Sequence, residues 1–246
     1  MQYLWPVVPL CEKQLRDINP DDVLNNGLYR KCDIYKGGGG YDKFEEIYHR
    51  RFNTSVPCRH QFVVQVAGCP LRCPYCYVTE EGVRGEADFL STTQLTRDFH
   101  TSGCDVFHLM GGAPALYLDQ WPELVAWLRG SIFHSDLLCL EQSYSSLTLA
   151  ALTGHDNVLC ALSIKGSTPA EFRKNTGVAF DEKLFWGNFS KLVASHFPFY
   201  LTYTNMDVSS IARFESEVKE RYPSDYEWIL QDSFPIALVH YLALDD

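Results

Sequence analysis

From residue 60 onward, short apolar runs alternate with amphipathic stretches. The short apolar runs at 61–67, 105–110, 137–142, 157–164, 199–204 and 236–243 are the candidate strands. The intervening stretches carry helix signals. Ser91-Thr92-Thr93-Gln94 has the form of a capping box. Asp119 precedes Trp121, Leu124, Val125 and Leu128, which fall on one helical face, so it is expected to cap that helix. Thr168-Pro169-Ala170-Glu171 joins an N-cap, a proline at the first helical position and a capping glutamate. Helical spacing also links Leu184, Phe185, Phe189, Leu192 and Val193, and then Ile211, Phe214, Val218 and Tyr222.

Six repeats of strand and helix imply parallel strands joined by right-handed crossovers. About 185 residues are too few for a closed eight-stranded barrel, which usually takes about 250. The expected architecture is therefore α/β: a partial, six-unit TIM-like barrel over 60–246, behind an irregular extension over 1–59. That extension holds Asn19-Pro20-Asp21-Asp22, Asn25-Asn26-Gly27 and Gly37-Gly38-Gly39-Gly40, which are turn and hinge signals. A phosphate-cradling loop would want a preceding strand and a Lys-Ser/Thr ending, so the glycine run reads as the hinge of a lid. Tyr41, Phe44, Ile47 and Tyr48 then recur at helical spacing.

Composition narrows the function classes. Hydrophobic residues are 46% and aromatics 14%, enough for a substantial core. The net charge of −10, with no basic run longer than His49-Arg50-Arg51, argues against nucleic acid as a partner. No apolar run reaches the roughly 18 residues of a membrane span. The first residues lack the basic region and apolar block of a signal peptide, so a cytoplasmic protein is expected. Nine cysteines without a repeating framework do not read as a secreted disulfide scaffold. Cys139 and Cys160 lie in apolar runs and are expected to be inert and buried, unless either points into the barrel as a hydrogen-atom donor. Cys11, Cys32 and Cys58 precede the cluster motif at no metal-like spacing, and Cys104 is scattered as well.

The chemistry concentrates in Gly68-Cys69-Pro70-Leu71-Arg72-Cys73-Pro74-Tyr75-Cys76-Tyr77, directly after the first strand. In a parallel barrel the loops at the C-terminal strand ends build the active site. A structural zinc wants four protein ligands, and a cubane cluster normally takes four thiolates. Three cysteines therefore leave one iron open to an exogenous molecule.

This C-x₃-C-x₂-C, with aromatic Tyr75 before the last cysteine, resembles the radical S-adenosylmethionine (SAM) signature. The resemblance covers roughly 60–243. It implies a [4Fe–4S] cluster on Cys69, Cys73 and Cys76, with the open iron chelating the methionine amine and carboxylate of SAM. It further implies reductive cleavage of SAM to a 5′-deoxyadenosyl radical that takes hydrogen from a small-molecule or peptide substrate. A flavodoxin- or ferredoxin-like electron donor is implied as well. Tyr75 and Tyr77 would lie near the adenine. Gly111-Gly112-Ala113-Pro114 resembles the family's Gly-Gly-Glu-Pro motif, with Ala113 in place of the glutamate, so that its contact to the SAM amine falls to backbone carbonyls. Glu141 and Ser143, expected to end the third strand, would face the ribose and the carboxylate. Ser163 and Lys165 resemble the Asp-x-Lys-Gly motif of glycyl-radical activases, Lys165 pairing with the SAM carboxylate.

No catalytic side chain is assigned. His108, His100, Tyr203, Asn205 and Tyr241 are weighed as substrate-facing, with ordinary packing the plainer reading for each. Three alternatives stay open: an activase that installs a glycyl radical on a partner protein, a structural zinc module closed by Cys58, Cys69, Cys73 and Cys76, and a SAM binder without radical chemistry.

Overall fold

The structure, a computed structural model, describes residues 3–33, 41–52, 60–76, 78, 84, 86–128 and 130–237. The alternating runs become one sheet. Its strands are β1 (Leu4–Val7), β2 (Val23–Leu24), β3 (Tyr29–Asp33), β4 (His60–Val66), β5 (Asp88–Ser91), β6 (Val106–Gly111), β7 (Ile132–Leu137), β8 (Val158–Ile164), β9 (Phe199–Thr204) and β10 (Phe234–Ile236). The helices are α1 (Glu12–Asp17), α2 (Tyr41–Phe52), α3 (Thr92–Ser102), α4 (Trp121–Trp127), α5 (Ser146–Thr153), α6 (Pro169–Thr176), α7 (Glu182–Ala194), α8 (Val208–Arg221) and α9 (Tyr226–Leu230).

Strands β4, β6, β7, β8, β9 and β10 lie side by side in chain order and all pair in parallel. This is the six-unit parallel array expected from the pattern. The N-terminal stretch is less irregular than expected. β3 pairs antiparallel with β4 from Asp33↔His60 to Tyr29↔Val64, while β1 pairs antiparallel with β5 and meets β4 at Val7↔Val66. These strands cover the edge of β4 that faces away from β6. The glycine run 37–40 and its proposed hinge lie outside the described residues.

The third barrel strand is Ile132–Leu137, not 137–142. Its His134, Ser135 and Asp136 break the apolar signal, whereas Leu137, Leu138, Cys139 and Leu140 form an apolar run that is mostly loop. Only the start of the last expected strand, 236–243, lies within the described residues. Asp119 does not cap α4, because its carboxylate accepts from the Thr148 hydroxyl at 2.8 Å and a 3₁₀ turn (Pro114–Gln120) leads into the helix. The other caps form as read: Ser91 accepts from Gln94 N and Thr168 from Glu171 N.

Strand pleating sorts side chains between two faces. Phe62, Val64, Val66, Phe107, Leu109, Phe133, Leu162, Phe199 and Leu201 join the outer helices in the main core. The opposite, concave face carries Val106, Ile132, Leu159, Ala161, Tyr200 and Phe234. Against that face pack Ile47 and Tyr48 of α2, which close the barrel at the N-terminal ends of its strands. Arg50 and Arg51 of α2 both pair with the buried Asp232, tying the helix to the turn before β10.

Candidate active site at the barrel mouth

The cysteine loop leaves the C-terminal end of β4 and is pinned by its main chain. Gly68 O accepts from Ala113 N at 2.7 Å, and Val66 O accepts from Gly112 N at 2.9 Å. On the far side, Arg72 N donates to Thr176 O at 2.8 Å. A Cβ on Gly112 would stand 2.2 Å from Gly68 O and 2.6 Å from Val66 O, and one on Gly111 2.8 Å from Gln65 Cα. Glycine is required at both positions by this close backbone approach alone. Ala113 is buried, between Leu71, Leu138 and Phe172 beside Cys69 and Cys73.

Cys69, Cys73 and Cys76 are partly exposed and near enough to perturb one another electrostatically. Burial pushes the Cys69 thiol up to about 11, the Leu71 N–H opposes this, and the other two cysteines add to it. Burial also raises Cys76, against which the Val78 N–H and the Lys165 ammonium act. Lys165 Nζ sits 5.4 Å from the centre of the Tyr75 ring, so the end of β8 reaches the cysteine loop. Tyr75 is buried, and burial together with the adjacent Cys73 raises its phenol. Tyr77 lies outside the described residues.

Among the described residues no three His, Cys, Asp or Glu side chains converge to hold one metal ion. A cubane asks for less convergence than a single ion, because each thiolate binds a different iron. The donor set of three thiols beside a lysine fits such a cluster: cation and metal both favour the thiolate that burial disfavours. Cys58, the fourth ligand of the zinc alternative, lies outside the described residues.

The stretch after β7 is a self-contained hydrogen-bonded loop. Glu141, four residues past the strand, accepts from Leu138 N at 2.7 Å, Leu140 N at 3.0 Å and the Tyr144 hydroxyl at 2.6 Å. Burial raises its carboxyl nonetheless. Ser143 accepts from Lys191 Nζ at 2.9 Å. Gln142 reaches Ala115 O, which joins this loop to the turn after Gly112. Asn188 of α7 bonds Tyr144 N, Cys139 O and Gln142 O. These bonds fix the loop; nothing in the sequence pattern marks Asn188 as its organiser. Ser163 exchanges a hydrogen bond with Thr204 at 2.8 Å on the concave face.

Several candidates fall elsewhere. Tyr203 points to the outer helices and donates to Glu215 at 3.0 Å. His100 is exposed on α3, against Trp127 O. Cys139 and Cys160 belong to the outer core, so neither is a donor inside the barrel. Asn205 takes a left-handed φ of 52°, its carbonyl accepting from Asn175, while Tyr241 lies outside the described residues. His108 does face the barrel, a role that its position two residues along from Val106 could have signalled.

No protein-family model and no curated protein matches the chain. Solved structures do. Streptococcus suis SuiB, crystallised with precursor peptide SuiA, overlays with a TM-score of 0.52 at 15% identity, covering 73% of this chain and 41% of SuiB. The chain thus spans about two fifths of the length of SuiB. The anSMEcpe structure with bound AdoMet overlays with a TM-score of 0.46 at 15% identity, covering 70% of this chain and 48% of its own. Escherichia coli QueE does so with a TM-score of 0.42 at 13% identity, covering 68% and 70%. The overlay on SuiB shows a shared fold, a mixed α/β partial barrel with a mostly parallel sheet.

Proposed function

We propose that the protein is a radical SAM enzyme acting on a small-molecule or peptide substrate. The observation that carries the reading is the triad Cys69, Cys73 and Cys76 on a loop pinned at the C-terminal mouth of a parallel barrel, with Lys165 beside it. When bound, the reduced [4Fe–4S] cluster supplies the electron that cleaves SAM to methionine and the 5′-deoxyadenosyl radical that takes hydrogen from substrate.

The chain's own residues hold and shield this chemistry. Cys69, Cys73 and Cys76 would be the iron ligands, and the Lys165 ammonium favours the thiolate form of Cys76 and offers a partner to the methionine carboxylate. The aromatic face of Tyr75 and the backbone carbonyls of 111–113 border the space for SAM, with Pro114 fixing the turn that follows. Leu71, Ala113, Leu138 and Phe172 keep water from the inner side of the loop. Glu141 and Ser143 act through the loop they fix, and Ser163 lines the concave face below Lys165. A flavodoxin- or ferredoxin-type donor is the proposed electron source. A peptide substrate has in its favour that SuiB was crystallised with a precursor peptide.

The test is anaerobic reconstitution with iron and sulfide, reduction, and an assay for 5′-deoxyadenosine. Wild type is expected to form it and Cys73→Ala to form none. A wild type that takes up zinc, builds no cluster and leaves SAM intact would replace this reading with the structural-metal one.

A further inference from the structure

Halfway up the concave face, two acceptors stand side by side with no donor between them. His108 on β6 and His134 on β7 are register partners, and their rings meet edge to face at 4.3 Å. Asp136 is two residues further along β7 on the same face. His134 bonds the Tyr200 hydroxyl at 2.9 Å through Nε2. His108 turns Nδ1 to Gln61 Oε1, an acceptor, which leaves Nε2 as the ring nitrogen open to another partner. Among the described residues Nε2 makes no hydrogen bond. Its nearest ionic neighbour is Asp136 Oδ1 at 3.8 Å, beyond hydrogen-bond range.

Among the described residues the Asp136 carboxylate accepts no hydrogen bond, and its side chain is about one-third exposed within the concave face. Carboxylates rarely stand on a barrel wall without a donor, since the charge loses hydration there. Val106, Ile132, Leu159 and Tyr200 pack towards the N-terminal ends of the strands, and Asp136 stands near the C-terminal end of β7, the end from which the cysteine loop leaves the neighbouring parallel strands.

We propose that Asp136 and His108 form the substrate anchor, and that it takes a cationic N–H donor, such as a primary ammonium group. Such a group carries several protons, enough for the carboxylate and the imidazole lone pair together. A substrate carboxylate would be repelled, and an uncharged hydroxyl would meet only one of the two acceptors well. The assignment rests on the radical SAM reading for the meaning of "substrate", yet the anchor itself consists of this chain's own side chains.

The test uses the reconstituted protein under anaerobic conditions, with n-butylammonium, butyrate and n-butanol as probes followed by saturation-transfer NMR. Wild type is expected to bind n-butylammonium about tenfold more tightly than butyrate, the difference a charge-assisted hydrogen bond makes. Asp136→Asn is expected to weaken n-butylammonium by about the same factor, and Asp136→Glu to retain most of it. His108→Gln is expected to fall between wild type and Asp136→Asn. Equal binding of the three probes by wild type overturns the proposal. So does amine binding by Asp136→Asn or His108→Gln that matches wild type. Should Asp136→Asn not fold, the wild-type preference and His108→Gln decide. Iron content and deoxyadenosine formation of the same wild-type sample score the radical SAM reading separately. An Asp136-dependent amine preference without a cluster overturns that reading alone, and a working cluster without the preference overturns the anchor alone.

Discussion

The two ends of the barrel are built by opposite means. At the floor, side chains do the work: Ile47 and Tyr48 of α2 fill the concave face, and Arg50 and Arg51 close on Asp232. At the mouth, main chain does it, with Gly68 O, Val66 O, Gly112 N, Ala113 N and Arg72 N locking the cysteine loop while its thiols and Lys165 stay partly exposed. A floor held by side chains is a sealed core. A mouth held by backbone leaves its side chains available for chemistry, and the close backbone approach it needs is met by Gly111 and Gly112.

The sharpest way to break the mouth is therefore a single methyl group. Gly112→Ala drives a Cβ into Gly68 O and Val66 O, both fixed backbone atoms. The expected loss exceeds about 4 kcal/mol, the range of severe core clashes, or the loop lifts from β6 and the cysteines lose their placement. Thermal unfolding and iron uptake after reconstitution read the two outcomes. Gly187→Ala, at an exposed site of α7 with nothing within 4 Å, is the control and is expected to stabilise by about 0.5–1 kcal/mol. If both substitutions were neutral, the backbone lock would not be what holds the mouth.

At the floor the corresponding break is Asp232→Ala. It strands Arg51, which is about one-quarter exposed, against a buried turn. The expected cost is about 2–3 kcal/mol, below the range for fully buried pairs because Arg50 still reaches water. Chemical denaturation measures it. Iron uptake is expected to survive wherever the variant remains folded, because the floor shares no hydrogen bond with the cysteine loop among the described residues. Loss of iron uptake in a folded variant would show that the two ends are not independent.

The array of parallel strands was legible because most of its strands are short, largely apolar runs between turns, as in Val158–Ile164 and Phe199–Thr204. The strand at Ile132–Leu137 was not, because three successive polar residues, His134, Ser135 and Asp136, interrupt its apolar signal on both faces. The position of the cysteine motif was legible, directly after the first parallel strand. The role of Gly111 and Gly112 was only half legible: glycine signals a close approach, but only the fold shows that the approaching atoms belong to β4 and its loop. Glu141 and Ser143 were named through the family resemblance, and what the sequence did not show is that Glu141 bonds its own loop and Ser143 bonds Lys191. Such pairings depend on long-range packing that periodicity does not report.

The smallest expected effect comes from the layer between the two ends. His134 is fully enclosed, and burial followed by the neighbouring His108 holds its pKa well below the ordinary 6.5. A histidine kept neutral in the fold but free to protonate when unfolded binds more protons in the unfolded state. Its contribution is therefore complete above about pH 6.5 and declines as pH falls through that value, with a slope of at most about 1.4 kcal/mol per pH unit for one proton. Chemical denaturation at pH 7.5 and at lower pH, compared for wild type and His134→Gln, isolates this slope. The variant loses the hydrogen bond to Tyr200 at every pH but should lose the acid-dependent part as well, so the two stability curves converge on acidification. Parallel curves would place the proton uptake at a group other than His134.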